Sequence, residues 1–381
     1  MTILPTYKNA ATGVEMSNLR FPVSLIKQIG GELEASLALS PSMCDGPFQD
    51  ALTGGLWFDS GRGALAALLQ WLTINSPIDR VYLPGFICQS VADAVEYSSL
   101  PYEVYSVDNN MQAEIEPKPR SAVIGVHYFG FVNESLRKLS EDAAEDIIII
   151  EDCAQALLTD LPSLRRRPIH YRLYSPRKFL GIPAGGCLWG HPLPDISLSS
   201  GDTVELWKAW VGRFLKSQYR HSLVGTRQQE LEQSYLGLME EFERFLDEHP
   251  GPRALPEVVL QIIRYQDYQA IFARRCENYN TLVKLLPPAV EPLFPCLPEA
   301  TCPLGCPVVI RGDGKRDEVR QLLKQEHIFC AVHWPRPKQF VSQELALNDI
   351  LYDSLLTLPI DQRYGGEDMK RITETIVTLV S

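Results

Sequence analysis

Between about Arg80 and Gly190 the chain repeats one theme, a short apolar run followed by a turn and an amphipathic segment, and this constrains the fold more than any other feature. The runs are Val81–Leu83, Tyr102–Val107, Ala122–Val126, Ile147–Ile150, Tyr171–Tyr174 and Cys187–Trp189, with helical patterns such as Gln89–Tyr97 and Asn133–Glu145 between them. A strand covered on both faces has no polar side to present, so it reads as a continuous apolar run and not as an alternation. The alternation with helices predicts an α/β fold built on a mostly parallel sheet, with helices on both sides. Ligands of such sheets sit at the carboxyl ends of the strands.

The chain then changes character. From Thr203 to about Leu246 it is long, charged and helical, and Pro250-Gly251-Pro252 ends that stretch. A second helix is expected over about Pro256 to Leu286, then a Pro-rich connector to Pro307. The remainder reads as a small α/β unit: strand Val308–Arg311, helix Lys315–Gln325, strand Phe329–Val332, a short run Leu355–Leu358 and a closing helix from Glu367. Two domains are expected, a large one over residues 1–250 with an N-terminal arm and the charged helical insertion, and a small C-terminal one over 251–381.

Net charge −11 argues against a nucleic-acid partner, whose affinity would come from clustered Lys and Arg. The short cluster Arg165-Arg166-Arg167 reads as a solvated loop. The sequence holds no apolar run of transmembrane length and its first eight residues lack a signal-peptide core, so a soluble cytoplasmic protein without a membrane partner is expected. Nine scattered cysteines read as reduced thiols, and the spacing of Cys296, Cys302 and Cys306 is not that of a zinc site, so no metal is expected.

Three segments carry candidate chemistry. Ile147–Ile150 runs into Glu151-Asp152-Cys153-Ala154-Gln155, and Lys178 follows Asp152 by 26 residues in Ser175-Pro176-Arg177-Lys178, ahead of Gly181, Gly185 and Gly186. A carboxylate at the end of a buried strand and an amine on a later loop are what pyridoxal phosphate chemistry needs: the Lys forms the Schiff base and the Asp partners the pyridinium nitrogen. Gln155 lies within reach of the cofactor's phenolic oxygen, Ser175 within reach of its phosphate, and the Arg177 charge is placed to make the amine more reactive. The third segment, Asp59-Ser60-Gly61-Arg62-Gly63, opens a helix whose free N–H groups offer a phosphate site. Each piece has a plainer alternative: an ordinary helix cap at Ser60, a helix-capping carboxylate at Asp152, an exposed loop lysine at 178.

Taken in order, Phe58–Leu65, Leu83-Pro84-Gly85-Phe86-Ile87-Cys88, Val126-His127-Tyr128-Phe129-Gly130, Ile150–Gln155, Ser175–Lys178 with Gly185-Gly186, Ala273–Tyr279 and Leu358–Tyr364 resemble the DegT/DnrJ/EryC1/StrS aminotransferases over roughly residues 55 to 381. The resemblance implies a fold type I pyridoxal phosphate enzyme with a seven-stranded large-domain sheet, a homodimer, and transfer of an amino group, from glutamate as the expected donor, to a nucleotide-linked keto-sugar. It places Gly61, Arg62 and Gly63 at the phosphate, Asp152 and Gln155 at the ring, and Lys178 at C4′. Phe86 and Cys88 fall where members carry a ring-stacking aromatic. His127 matches a strand-end His, with a satisfied buried His as the alternative. His333, Trp334 and Arg363 fall in the small domain, where substrate groups are held, with core packing the alternative for Trp334.

The chain also departs from that pattern. Cys88 stands at the stacking position, the Gly-Tyr-Asn-x-Arg-Met segment that reaches a neighbouring subunit's phosphate has no match between Thr203 and Pro250, and the Ser lies three residues before Lys178. These departures keep open a catalytically reduced relative that binds cofactor or sugar nucleotide, and a pyridoxal phosphate enzyme of another reaction type.

Overall fold

A computed structural model describes residues 27–35, 39–40, 48–76, 78–161, 169–221, 226–312, 314–340 and 346–380. The arginine cluster at 165–167 lies outside these residues.

The strands are β1 Ile29–Gly30, β2 Leu56–Phe58, β3 Arg80–Pro84, β4 Tyr102–Tyr105, β5 Ser121–Val126, β6 Ile147–Asp152, β7 His170–Tyr174, β8 Gly186–His191, β9 Glu291–Pro292, β10 Cys306–Val309, β11 Ile328–Phe329 and β12 Leu355–Leu358. The helices are α1 Gln49–Gly54, α2 Gly61–Asn75, α3 Gln89–Tyr97, α4 Glu134–Asp142, α5 Val204–His221, α6 Thr226–Glu248, α7 Glu257–Arg264, α8 Tyr268–Leu285, α9 Lys315–Gln325, α10 Ala346–Ser354 and α11 Gly366–Val380.

Seven strands form the main sheet in the order β2-β8-β7-β6-β5-β3-β4. Pairing is parallel from β4 across to β7, and β8 alone runs against its neighbours. Every residue of β5 is buried, as is every residue of β6 except Asp152, which accounts for the unbroken isoleucine run. The sheet thus delivers Asp152 to the one end of β6 where a polar side chain meets open space.

The helical hairpin α5–α6 replaces the single charged stretch expected from 203 to 246. Leu206, Ala209 and Trp210 of α5 and Phe242 and Leu246 of α6 turn inward to join an apolar cluster with Trp57, Phe179 and Tyr174. The helix expected over 256–286 is likewise two, broken at Tyr265–Asp267, where Asp267 caps α8 by accepting from the Ala270 N–H. Val259, Ile262 and Ile263 of α7 pack in that same cluster, beside the turn that carries Lys178. The C-terminal strands pair as β12-β10-β9, and β1 runs parallel to β11. Among the described residues no helix is long and apolar enough to cross a membrane.

Candidate functional site

An open cleft lies at the carboxyl ends of the central strands. Its wall includes Ser60, Gly61 and Arg62 from the start of α2, Cys88 and Ser90 from the start of α3, Asp152 from the end of β6, and Ser175, Arg177 and Lys178 from the turn after β7. Residues spread over more than a hundred positions of sequence therefore meet in one place.

The start of α2 presents its first backbone donors to the cleft. Ser60 caps the helix, its Oγ accepting from the Gly63 N–H at 3.2 Å while donating to Asp59 Oδ1 at 3.0 Å. Arg253 Nε donates to the other Asp59 oxygen at 2.5 Å; burial raises the Asp59 carboxyl, and this partner opposes the rise without cancelling it. The N–H groups of Gly61 and Arg62 have no partner among the described residues and carry the positive end of the helix. A Cβ on Gly61 would project to 3.9 Å from the Ser175 Cβ, so the glycine leaves open the gap between helix start and turn. Gly186, paired with Phe58, is required for a harder reason: a Cβ there would lie 2.4 Å from the Ser60 carbonyl.

At the other end of the cleft, Asp152 Oδ1 accepts from the Ala154 N–H at 2.9 Å, and its second oxygen has no partner among the described residues. Lys178 sits half-buried in a short 3₁₀ turn whose first residue is Pro176, and its amine makes no hydrogen bond or ion pair among the described residues. The turn is held from the C-terminal part of the chain. Gln362 Nε2 donates to the Phe179 carbonyl at 2.7 Å, and the Arg275 guanidinium lies 4.6 Å over the Phe179 ring.

Gln155 is buried behind this wall. Its Oε1 accepts from the Phe129 N–H at 2.7 Å, and its Nε2 is a buried donor without a partner. An unmet buried donor is costly, so a ligand oxygen at that position would be stabilising. Together the free helix N–H groups, the half-used Asp152 and the unengaged amine fit the phosphate, ring nitrogen and aldehyde of pyridoxal phosphate, whereas Gln155, expected at the ring oxygen, is not among the residues that line the cleft.

Other expected residues are placed elsewhere. Gly63 is in α2, but its N–H is taken by the Ser60 cap and it does not line the cleft. Phe86 is fully buried and packs against Tyr128, Trp334 and Tyr352 with ring centroids 4.9–5.8 Å apart, so its ring belongs to an aromatic cluster and not to the cleft. Cys88 does reach the cleft, where its thiol has no face to stack; its Sγ lies 3.1 Å from Ser90 Oγ. Trp334 is part of the Phe86 cluster. His333 stays near Lys178: burial first, and then the lysine's charge, push its imidazole down to about 3, and Nδ1 meets Thr357 Oγ1 at 2.9 Å.

His127 is absorbed by Glu151. Its Nδ1 accepts from the Asn133 N–H at 3.1 Å, which leaves the proton on Nε2, 3.2 Å from Glu151 Oε2. Arg172 Nε donates to the same oxygen at 2.5 Å, and His170 Nε2 lies 2.8 Å from the other. Arg363 is also structural, donating to the Gly31 and Glu32 carbonyls, Glu34 and Asp361, and so ties the first described residues to the C-terminal segment.

Sequence reasoning missed the α6 contribution. Glu243 pairs with both Arg62 and Arg177, Asp247 pairs with Arg62, and Leu246 lines the cleft. The signal was Phe242 and Leu246, four residues apart and apolar, which face that helix inward between its charges.

No protein-family model and no curated protein matches this chain. Solved structures do match in three dimensions. DesV of S. venezuelae aligns over 88% of this chain and 90% of its own at 17% identity and a TM-score of 0.57. The putative sugar aminotransferase Spr1654 of Streptococcus pneumoniae, in its PLP form, aligns over 92% and 98% at 14% identity and 0.62. A DegT DnrJ EryC1 StrS aminotransferase from Brucella abortus aligns over 89% and 91% at 15% identity and 0.55. This chain shares their fold. The correspondence runs nearly end to end in both partners, so the sheet and the C-terminal elements alike belong to the shared architecture.

Proposed function

We propose that the chain is a pyridoxal phosphate-dependent aminotransferase that passes an amino group from a donor amino acid, with glutamate the expected one, to a nucleotide-linked keto-sugar. The observation that carries this reading is the convergence of Asp152 and Lys178, from two different elements, on a cleft whose far end is a bare helix N-terminus. Two features of similar structures support this reading: Spr1654 is solved in PLP and PMP forms, which bears on the cofactor, and DesI is solved in the presence of its TDP-sugar product, which bears on the substrate class.

The bound cofactor would supply a ring that accepts the electron pair left on the donor's α-carbon when its proton is removed. Asp152, through the oxygen that Ala154 leaves free, would keep the ring nitrogen protonated. The Gly61 and Arg62 N–H groups and the Ser175 hydroxyl would hold the phosphate. Lys178, pinned through Phe179 by Gln362, would carry the proton between the donor's α-carbon and the cofactor. The neutral His333 beside it adds no second positive charge there.

The test is spectroscopic. Pyridoxal phosphate added to the purified protein should raise a visible absorption band, borohydride should fix the cofactor on Lys178 as read by peptide mass mapping, and Lys178→Ala should show neither. Glutamate should then bleach the band. Absence of any band in the wild type overturns the cofactor assignment, and a fixed band that no amino acid bleaches overturns the aminotransferase one.

A further inference from the structure

The anion end of the cleft contains two arginines, and a single carboxylate joins them. Arg62 Nη2 lies 3.3 Å from Glu243 Oε2, Arg177 Nη2 donates to Glu243 Oε1, and Arg62 Nη1 also pairs with Asp247. Glu243 and Asp247 are four residues apart on α6 and so share a face, with Leu246 beside them in the cleft wall.

Two guanidinium groups brought together at a helix N-terminus repel each other and the helix dipole, and each is mobile unless held. Burial and the Arg177 charge both act to lower the Arg62 guanidinium, while Glu243 opposes them. One bridging carboxylate uses few of the donors the two arginines own, since each guanidinium carries five N–H groups. Both arginines line the cleft beside Ser60 and Gly61.

We propose that Glu243 is a positioning residue for the cofactor phosphate: by bridging Arg62 and Arg177 it fixes both guanidinium groups at the Gly61 end of the cleft, in an orientation that a phosphate dianion can use. The inference rests on the pyridoxal phosphate reading and adds to it an acidic residue that touches no substrate. It also explains why an anion site tolerates carboxylates at its edge. Glu243 and Asp247 are engaged with the arginines and are not among the residues that line the cleft.

The experiment compares pyridoxal phosphate with pyridoxal, which has the same aldehyde and no phosphate, in wild type and Glu243→Gln, and adds a calorimetric titration with inorganic phosphate. The expected result is at least a ten-fold loss of pyridoxal phosphate affinity in Glu243→Gln, with pyridoxal affinity unchanged and inorganic phosphate binding lost. Arg177→Gln, which removes the other end of the bridge, should show the same selective loss and serves if Glu243→Gln does not fold.

Equal weakening of both aldehydes would mean that Glu243 only holds α6 in place, and tighter pyridoxal phosphate binding would mean that it competes with the phosphate; either overturns the proposal, as does no change. If the wild type forms no band with pyridoxal phosphate yet binds inorganic phosphate in a Glu243-dependent way, the cradle stands and the cofactor assignment fails. If it binds neither, both fail.

Discussion

Glu151 and Asp152 leave β6 on opposite faces, as neighbours in a strand must, and their surroundings decide what each does. Asp152 meets the cleft with one oxygen to spare. Glu151 is buried among His127, His170 and Arg172: burial would raise its carboxyl, but the hydrogen bond from His127, the close His170 ring and the Arg172 charge hold it well below the ordinary carboxylate range. A folded value below the unfolded one gives stability that is present above about pH 4.5 and is lost as pH falls through the folded value. Glu151→Gln should therefore lower the melting temperature at pH 7 and flatten its decline in acid, measured by thermal melts from pH 7 to pH 3. Glu151→Ala should cost about 3–5 kcal/mol in denaturant titration, because it removes a carboxylate that Arg172 pairs with in the interior. Lys216 of α5 has the opposite sign. It is 2% exposed, it lies 5.4 Å from the Tyr235 ring centroid, and burial, then the Arg363 charge, push its amine down to about 8. Between about pH 8 and 10.5 the unfolded chain binds the extra proton, so this group makes stability rise with pH there. Lys216→Met should remove that rise in a melt series and be more stable than the wild type at pH 7.

At the level of elements, how far the sequence can be read follows from how local each cause is. β5, β6 and β7 are legible because burial on both faces writes itself into every residue of a run. Gln89–Tyr97 and Lys315–Gln325 fall where their periodicity puts them. β2 is not legible, since three residues that gain their strand character from pairing with β8 leave too short a pattern. The α5–α6 hairpin reads as one charged stretch because its turning point is a matter of packing between the two helices. In the cleft, Asp152, Lys178 and the start of α2 carry local marks, whereas Glu243 looks like any charge on an exposed helix until α6 is laid against Arg62. The β2–β8 pairing also makes a prediction: Gly186→Ala forces a Cβ into the Ser60 carbonyl, and should lower both the melting temperature and the affinity for pyridoxal phosphate.

Across the whole molecule, the first described residues are bound to the C-terminal segment through Arg363 and to the last helix through Lys27. The Arg363 guanidinium reaches Gly31, Glu32, Glu34 and Asp361, and Lys27 pairs with Asp368 at 2.6 Å. Arg363→Met leaves two nearly buried carboxylates short of a partner, so limited proteolysis should cut near residues 27–35 sooner than in the wild type while the central sheet stays protected. The clasp on Phe179 spans a shorter but still long stretch of chain, since Arg275 and Gln362 lie about a hundred and about 180 residues beyond the turn they hold. During synthesis, the strands on either side of Lys178 leave the ribosome long before those two residues exist. A chain stopped short of Gln362 would hold its amine on a half-braced turn, and firm capture of the aldehyde would wait on almost the last part of the protein to be made.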